Sequence, residues 1–138
     1  MTSLLERPQL HPAFAGKRAI PPFKFAILVG GFLPTPRVPD LTKWFPIETP
    51  TLHIIGKVDV IISTERSLAL VDKCDDARVE YHDGGHFVPS KGAFRNFFRD
   101  YIGSFVEGGL QGDVPPPSSA PATPGPSAPQ TREATPEK

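Results

Sequence analysis

Two side chains, an aspartate and a histidine, stand where they could share a proton-transfer site. Asp59 comes shortly after the apolar segment Thr51–Ile55, and His86 comes shortly after Arg78–His82 and lies 27 residues after Asp59. If both segments are parallel strands, their carboxyl ends meet at one edge of a sheet, which is where ligands bind in open α/β sheets. The order of acid then histidine is that of the last two members of a Ser…Asp/Glu…His triad. The glycines before His86 would let the backbone turn sharply and bring the imidazole over the sheet edge.

The same spacing also fits a structural explanation, in which Asp59 is a turn residue and His86 a structural histidine. His82 lies four residues before His86, but the Asp-Gly-Gly between them would break a helix. The pair therefore predicts no two-histidine metal site, and His82 is expected to be structural. His53, inside an apolar segment, is predicted to be a hydrogen-bonded core histidine. Cys74 is predicted to be a small buried hydrophobic residue, and a single cysteine can form neither an internal disulfide nor a Cys-based zinc site. The sequence predicts no metal and no cofactor.

Three apolar segments predict the strands that would position these residues. Phe23–Val29 is almost continuously apolar and ends at Gly30-Gly31, and Thr51–Ile55 is a second run of this kind. Such short runs are typical of strands buried on both faces of a parallel sheet. Arg78–His82 is more polar, which places it nearer a sheet edge.

Two further segments have the pattern of helices. Thr64–Cys74 has Ser63 as a candidate N-cap and an acidic first turn, where the helix dipole favours negative charge. The last helix is predicted between Ser90, a candidate cap, and Gly108-Gly109. It carries a single apolar stripe at helical spacing, predicted to be core, that consists of Phe94, Phe97, Phe98, Tyr101, Ile102 and Phe105. Strands that alternate with helices imply parallel pairing through right-handed crossovers, so the predicted class is α/β.

Residues 113–138 differ in composition from residues 1–112, which are the predicted domain. Eight of the 18 prolines lie in this C-terminal segment, and it has no aromatic residue. Such a segment cannot bury enough apolar surface to offset the entropy of ordering it, so we predict a disordered Pro-rich tail that adds no packing. Its two P-x-x-P sequences, Pro121–Pro124 and Pro126–Pro129, could make weak contacts with SH3 or WW domains. An unselected solvated tail explains them as well.

Charge and hydropathy exclude several classes of partner. The 15 basic and 15 acidic residues give a formal net charge of zero at pH 7, which removes the electrostatic argument for nucleic acid or an anionic membrane surface. The sequence contains no run of about 18 apolar residues that could span a membrane, and its first residues lack the apolar stretch of a signal peptide. A cytoplasmic location is expected, with the nucleus as an alternative.

The segments around Asp59 and His86 resemble a known family. PTLHIIGKVDVIISTERSLALVDKC followed by ARVEYHDGGHFVPS resembles the C-terminal half of the fungal FSH serine hydrolases, within the α/β-hydrolase superfamily, and FKFAILVGGFLP resembles the strand after their nucleophile helix. The resemblance spans about Leu4 to Phe105. It implies a partial α/β-hydrolase fold, a parallel sheet flanked by helices that contains only the C-terminal strands. It also implies that Asp59 is the triad acid and His86 the general base, with small-molecule esters or thioesters, such as those of secondary metabolism, as substrates.

One part of the family pattern is missing from the sequence. No G-x-S-x-G occurs in the 138 residues, although the family has this nucleophile elbow just before the helix that LLERPQLHP would finish. None of the serines lies on a strand-turn-helix elbow with flanking glycines, so the sequence predicts no nucleophile in this chain. We therefore expect the chain by itself to be inactive, and an upstream reading frame to encode the elbow. The alternatives are a short form that binds a protein through its tail or an exposed sheet edge, and a remnant with neither activity nor partner.

Overall fold

The backbone alternates between strand and helix and forms a small parallel sheet. The computed structural model describes residues 6–7, 10, 23–33, 44–106 and 114–117. In chain order, its elements are β1 (Ala26–Val29), β2 (Thr51–Gly56), α1 (Thr64–Val71), β3 (Ala77–His82) and α2 (Gly92–Val106). The three strands pair in parallel in the order β1-β2-β3. The predicted α/β class is confirmed. No helix in these ranges is long and apolar enough to cross a membrane.

The central strand β2 is covered on both faces. All six of its residues are buried, as its continuous apolar pattern predicted. Leu52 is paired with Ile27 of β1 and with Arg78 of β3, which fixes the register of the sheet. All four residues of β1 are only half-buried, less than the sequence predicted, because in the described part of the chain β1 pairs along one edge alone.

The hydrophobic core lies between β2 and α2. Leu52 and Ile54 of β2 have no exposed surface, and Phe97 and Tyr101 of α2 pack against them. Partly buried side chains complete the cluster, namely Phe25, Ile27, Val29, Phe94, Phe98 and Phe105. The predicted apolar stripe is therefore core, apart from Ile102, which is 42% exposed at its margin.

Val114 extends the domain beyond the boundary predicted at residue 112. Its side chain is 7% exposed and belongs to the same core cluster as Tyr101. The composition of a Pro-rich segment does not reveal that one apolar side chain within it fits a core, so the structure corrects the predicted end of the domain. Both P-x-x-P sequences lie outside the described residues, as does Gly108-Gly109.

The start of β1 differs from the prediction by three residues. Phe23–Phe25 precede the strand because the ladder begins where Ala26 pairs with Thr51. Pro50 has no N–H to extend that ladder, and its carbonyl oxygen accepts the Ala26 N–H at 2.9 Å.

Helix α1 ends three residues earlier than predicted. After Val71 the chain turns through hydrogen bonds from Lys73 N–H to the Leu70 carbonyl and from Cys74 N–H to the Val71 carbonyl, each 3.0 Å long. Cys74 then forms a parallel bridge with Ile47, which draws the chain away from the helix axis. Ser63 occupies the predicted N-cap position with extended dihedral angles, but its hydroxyl makes no capping hydrogen bond.

Candidate active site

Asp59 and His86 lie together at the carboxyl edge of the sheet. The Nδ1 atom of His86 and the Oδ2 atom of Asp59 are 2.8 Å apart. Asp59 lies three residues beyond the end of β2, and His86 lies four residues beyond the end of β3. Because β2 and β3 are parallel neighbours, both following loops leave the sheet at the same edge, and the two side chains meet there.

Both carboxylate oxygens of Asp59 are used. Oδ1 accepts the N–H groups of Ile61 and Ile62, each at 2.9 Å, while Oδ2 bonds to His86. The side chain is 3% exposed, and burial by itself would raise the pKa of Asp59. The hydrogen bonds from Ile62, His86 and Ile61 outweigh burial and hold that pKa below its ordinary value. Asp59 is therefore an ionised acceptor at neutral pH.

The ionised carboxylate selects one tautomer of His86. An acceptor facing Nδ1 places the ring proton on that nitrogen, which leaves Nε2 with its lone pair. No described residue forms a hydrogen bond with Nε2, and the side chain is 37% exposed. The arrangement is therefore a partly exposed imidazole that can accept a proton at Nε2 and is oriented from behind by a carboxylate.

Gly30, the first residue after β1, is a third member of this site and was not singled out by the sequence reasoning. Its φ is +57°, in the left-handed region that favours glycine. A Cβ atom built on Gly30 would lie 2.6 Å from both Cε1 and Nδ1 of His86, and 3.4 Å from Oδ2 of Asp59. The imidazole thus packs against the bare backbone of Gly30. The only signal in the sequence is the Gly30-Gly31 pair that ends the first apolar run, and this pattern by itself indicates no more than a strand end.

A close approach of backbone to backbone holds the loops after β2 and β3 against each other. A Cβ on Gly56 would lie 2.5 Å from the carbonyl oxygen of Gly84 and would also collide with that of Gly85. Two hydrogen bonds join the loops, from Lys57 N–H to the His82 carbonyl at 2.9 Å and from Val58 N–H to the Gly84 carbonyl at 3.3 Å. The glycine at the end of β2 therefore lets the two loops meet.

The glycines before His86 act differently from the prediction. Of the described glycines, Gly30 is the one with a positive φ, so neither Gly84 nor Gly85 is required for a left-handed turn. A Cβ on Gly84 would collide with the ring of Phe87, whereas a Cβ on Gly85 would meet only the carbonyl oxygen of Val58 at 3.6 Å. Gly84 is needed for space, and Gly85 has room for a side chain.

His53 and Cys74 are packed into the fold. His53 is 1% exposed, its Nε2 lies 3.1 Å from the Thr51 hydroxyl, and burial lowers its pKa to about 4. The prediction of a core histidine is confirmed. Cys74 is half-buried and donates its S–H to the Leu70 carbonyl at 3.4 Å. Burial raises the pKa of the Cys74 thiol, which is the opposite of what a nucleophilic cysteine needs. Within the described ranges, no three His, Cys, Asp or Glu side chains are grouped so that they could hold a metal ion.

Large apolar side chains are exposed in the segments that follow the three strands. Those with more than two-fifths of their surface exposed are Phe32, Val58, Val60, Ile61, Phe87 and Val88. The guanidinium of Arg66 lies 4.5 Å from the centre of the Phe32 ring. Exposed apolar groups concentrated at one edge of a sheet are typical of a surface that contacts an apolar ligand or another part of a protein.

Comparison with known proteins bears on these same segments. The sequence model of the family described as "Serine hydrolase (FSH1)" matches residues 1–98. Esterase OVCA2 of Danio rerio is 35% identical over 106 residues, which are 76% of this chain and 44% of that protein. Esterase CG5412 of Drosophila melanogaster is 39% identical over 88 residues, 61% of this chain and 32% of that protein.

A protein of Schizosaccharomyces pombe named dihydrofolate reductase is also similar, at 37% identity over 84 residues. The match covers 59% of this chain but only 18% of that protein. The chain thus spans less than half the length of each of these three relatives. No solved structure gives a significant match.

Proposed function

The chain belongs to the serine hydrolase (FSH1) family, and on that premise we propose that Asp59 and His86 are the acid and the general base of a Ser-Asp-His triad. The observation that carries this proposal is the 2.8 Å contact between Nδ1 of His86 and Oδ2 of Asp59. In such a triad the acid keeps the imidazole in the tautomer that is protonated at Nδ1, so that Nε2 can take the proton of the serine hydroxyl.

The proposed proton transfers follow from this tautomer. His86 Nε2 removes the hydroxyl proton as the serine oxygen attacks the carbonyl carbon of the substrate, and the imidazolium then returns that proton to the leaving group. Asp59 stays ionised throughout and stabilises the transient imidazolium. Its hydrogen bonds from Ile61 and Ile62 keep the carboxylate in place during both transfers.

The nucleophilic serine, in this proposal, comes from sequence outside these 138 residues. The sequence contains no G-x-S-x-G, and in the described ranges none of the serines directly follows a strand as a nucleophile elbow requires. Without a nucleophile no acyl-enzyme intermediate can form, even when the acid and the base are in place. We therefore propose that the 138-residue chain does not hydrolyse esters when it is assayed alone.

Esters or thioesters of small molecules are the proposed substrates. Two of the similar proteins are named esterases, and the apolar side chains exposed after the three strands suit a substrate with an apolar group. Esters and thioesters differ in the leaving atom, oxygen or sulfur, and Nε2 can return a proton to either. Assaying both kinds of acyl donor distinguishes them.

The test is to supply the missing half and then remove each proposed group. The chain is joined behind the N-terminal half of the Danio rerio esterase, and hydrolysis of p-nitrophenyl esters and of acyl thioesters is measured. His86→Ala should lower kcat by about 10⁴-fold or more, because no other group takes the serine proton. Asp59→Asn should cost on the order of 10³–10⁴-fold, because the amide favours the wrong tautomer.

Asp83→Asn is the matched control. This aspartate follows β3, its side chain is 86% exposed, and its contact is the Lys57 ammonium at 2.7 Å. The same change of a carboxylate to an amide should therefore alter kcat by less than about threefold. An active chimera in which His86→Ala keeps more than a tenth of the activity would show the triad assignment to be wrong. A folded but inactive chimera would favour a non-catalytic short form.

A further inference from the structure

His82 is a buried histidine that the proposed proton transfers do not use. It is the last residue of β3, and 7% of its surface is exposed. Its Nδ1 accepts the N–H of Gly84 at 3.2 Å. A nitrogen that accepts a hydrogen bond carries no proton, so the ring in this arrangement is neutral, with its proton on Nε2. His82 thus has a defined tautomer, opposite to that of His86.

The His82 ring also fills the inside of the loop that carries His86. It meets the Phe87 ring edge-on with centroids 5.1 Å apart, and the Phe94 ring of α2 in the same way at 6.1 Å. A Cβ on Gly84 would lie 3.0 Å from His82 Nδ1 and would also collide with the Phe87 ring. His82, Gly84 and Phe87 therefore interlock, and His86 lies between the last two.

We propose that His82 is a positioning residue for His86: its neutral imidazole accepts the Gly84 N–H and supports Phe87, and so fixes the turn that presents His86 to Asp59. A role for His82 in catalysis rests on the proposed function, in which His86 is the general base. Its role in fixing the turn does not rest on that function, because the bond to Gly84 and the contact of His86 with Asp59 can be observed without turnover.

Protonation of His82 should release this turn. An imidazolium carries a proton on Nδ1, which then faces the Gly84 N–H as a second donor. Burial lowers the pKa of His82, while the negative charges of Asp59, on the loop after β2, and of Asp83, beside it in the chain, act to raise it. From α2 the group that packs on the ring is the uncharged Phe94. Burial outweighs these charges and keeps the pKa of His82 below its ordinary value, so the turn is fixed at neutral pH and is released only in more acidic solution.

The test follows nuclear magnetic resonance signals of the full 138-residue chain between pH 8 and pH 4. At neutral pH we expect His82 to show the Nε2–H tautomer, and His86 to show a downfield Nδ1 proton from its bond to Asp59. The Gly84 amide should exchange slowly and should change its shift as His82 titrates. The proposal would be overturned if His82 carried its proton on Nδ1 at neutral pH. It would also be overturned if the chemical shift of the Gly84 amide did not change as His82 titrates. This part of the test needs no variant.

Two substitutions of His82 distinguish a role in positioning His86 from a role that only fills space in the loop. His82→Asn places an amide oxygen near the position of Nδ1, so the Gly84 bond and the His86 proton signal should persist and lose their dependence on His82 titration. His82→Leu keeps the bulk without an acceptor, so Gly84 exchange should accelerate by about tenfold and the His86 signal should weaken. Tyr81→Leu, at a neighbouring exposed position, is the control and should change neither. If Asn and Leu behave alike, His82 only fills space. Failure of the triad assignment would appear instead in the kinetics of His86→Ala.

Discussion

Gly30→Ala is the substitution that best tests how the site is built. Two independent features of Gly30 oppose a side chain. Its φ of +57° lies in the left-handed region, which costs a residue with a Cβ about 1–2 kcal/mol. In addition, the new methyl carbon would lie 2.6 Å from two atoms of the His86 ring, whereas ordinary contacts begin at 3.4 Å.

The size of the clash sets the expected effect on the site. The His86 ring would have to retreat by about 0.8 Å to change a 2.6 Å separation into an ordinary contact of 3.4 Å. That distance is as large as the margin between the 2.8 Å His86–Asp59 contact and the roughly 3.5 Å beyond which a hydrogen bond is lost. A misplacement of about 1 Å can cost on the order of 10²-fold in rate. We therefore expect loss of the His86 Nδ1 proton signal and a fall of about 10²-fold in kcat.

Three measurements check this expectation. Urea unfolding of the 138-residue chain should show a loss of about 1–2 kcal/mol, nuclear magnetic resonance should show the loss of the His86–Asp59 bond, and the chimera should show the fall in kcat. Gly85→Ala is the matched control, because its Cβ would meet only the Val58 carbonyl oxygen at 3.6 Å. If Gly30→Ala unfolds at the same urea concentration as the parent and keeps the proton signal, the argument from contact and φ is refuted.

Two further predictions concern stability. Burial lowers the pKa of His53 in the folded chain to about 4, whereas in the unfolded chain this side chain takes up its proton near pH 6.5. The contribution of neutral His53 to the free energy of unfolding is therefore complete above pH 6.5. It should fall by about 3 kcal/mol as the pH drops to 4. Urea midpoints at pH 7 and pH 4.5 should therefore lie closer together in His53→Gln than in the parent, and an unchanged difference would contradict this origin. Ending the chain at residue 112 removes Val114, which is 7% exposed in the core, and should cost about 1–2 kcal/mol. A chain that ends at Pro117 should match the full-length chain in urea, and equal midpoints for both truncations would show that Val114 adds nothing.

The sequence predicted those parts of the fold that depend on repeated patterns. The apolar run Thr51–Ile55 became the fully buried strand β2, and the phenylalanine-rich stripe became the core face of α2. Each pattern contains several residues that all favour the same structure, so the prediction does not depend on any one of them. The burial of Val114 could not be predicted in this way, because one valine among prolines has no periodicity.

The candidate site was predictable for a different reason. Two parallel neighbouring strands end at one edge, so an acid after one and a histidine after the next are brought together by topology. Topology does not specify which backbone atoms must come close for the two side chains to touch. In the structure that closeness depends on positions with no side chain, since Gly30 borders the imidazole and Gly56 borders the carbonyl groups of the His86 loop.

A glycine in a sequence has at least three meanings, namely a strand end, a left-handed turn or a close approach of another group, and composition does not distinguish them. At this site the glycines differ in which of these meanings applies to them. Gly30 combines a left-handed φ with a close approach, Gly84 supplies space for the Phe87 ring, and Gly85 requires neither. It follows that the effect of an alanine substitution on the site should not simply increase as the substituted glycine comes closer to His86 in the sequence. Tolerance should depend on the distance from each new Cβ to its neighbour. Gly85→Ala, although adjacent to His86, should therefore do less harm than Gly30→Ala, in the segment after β1.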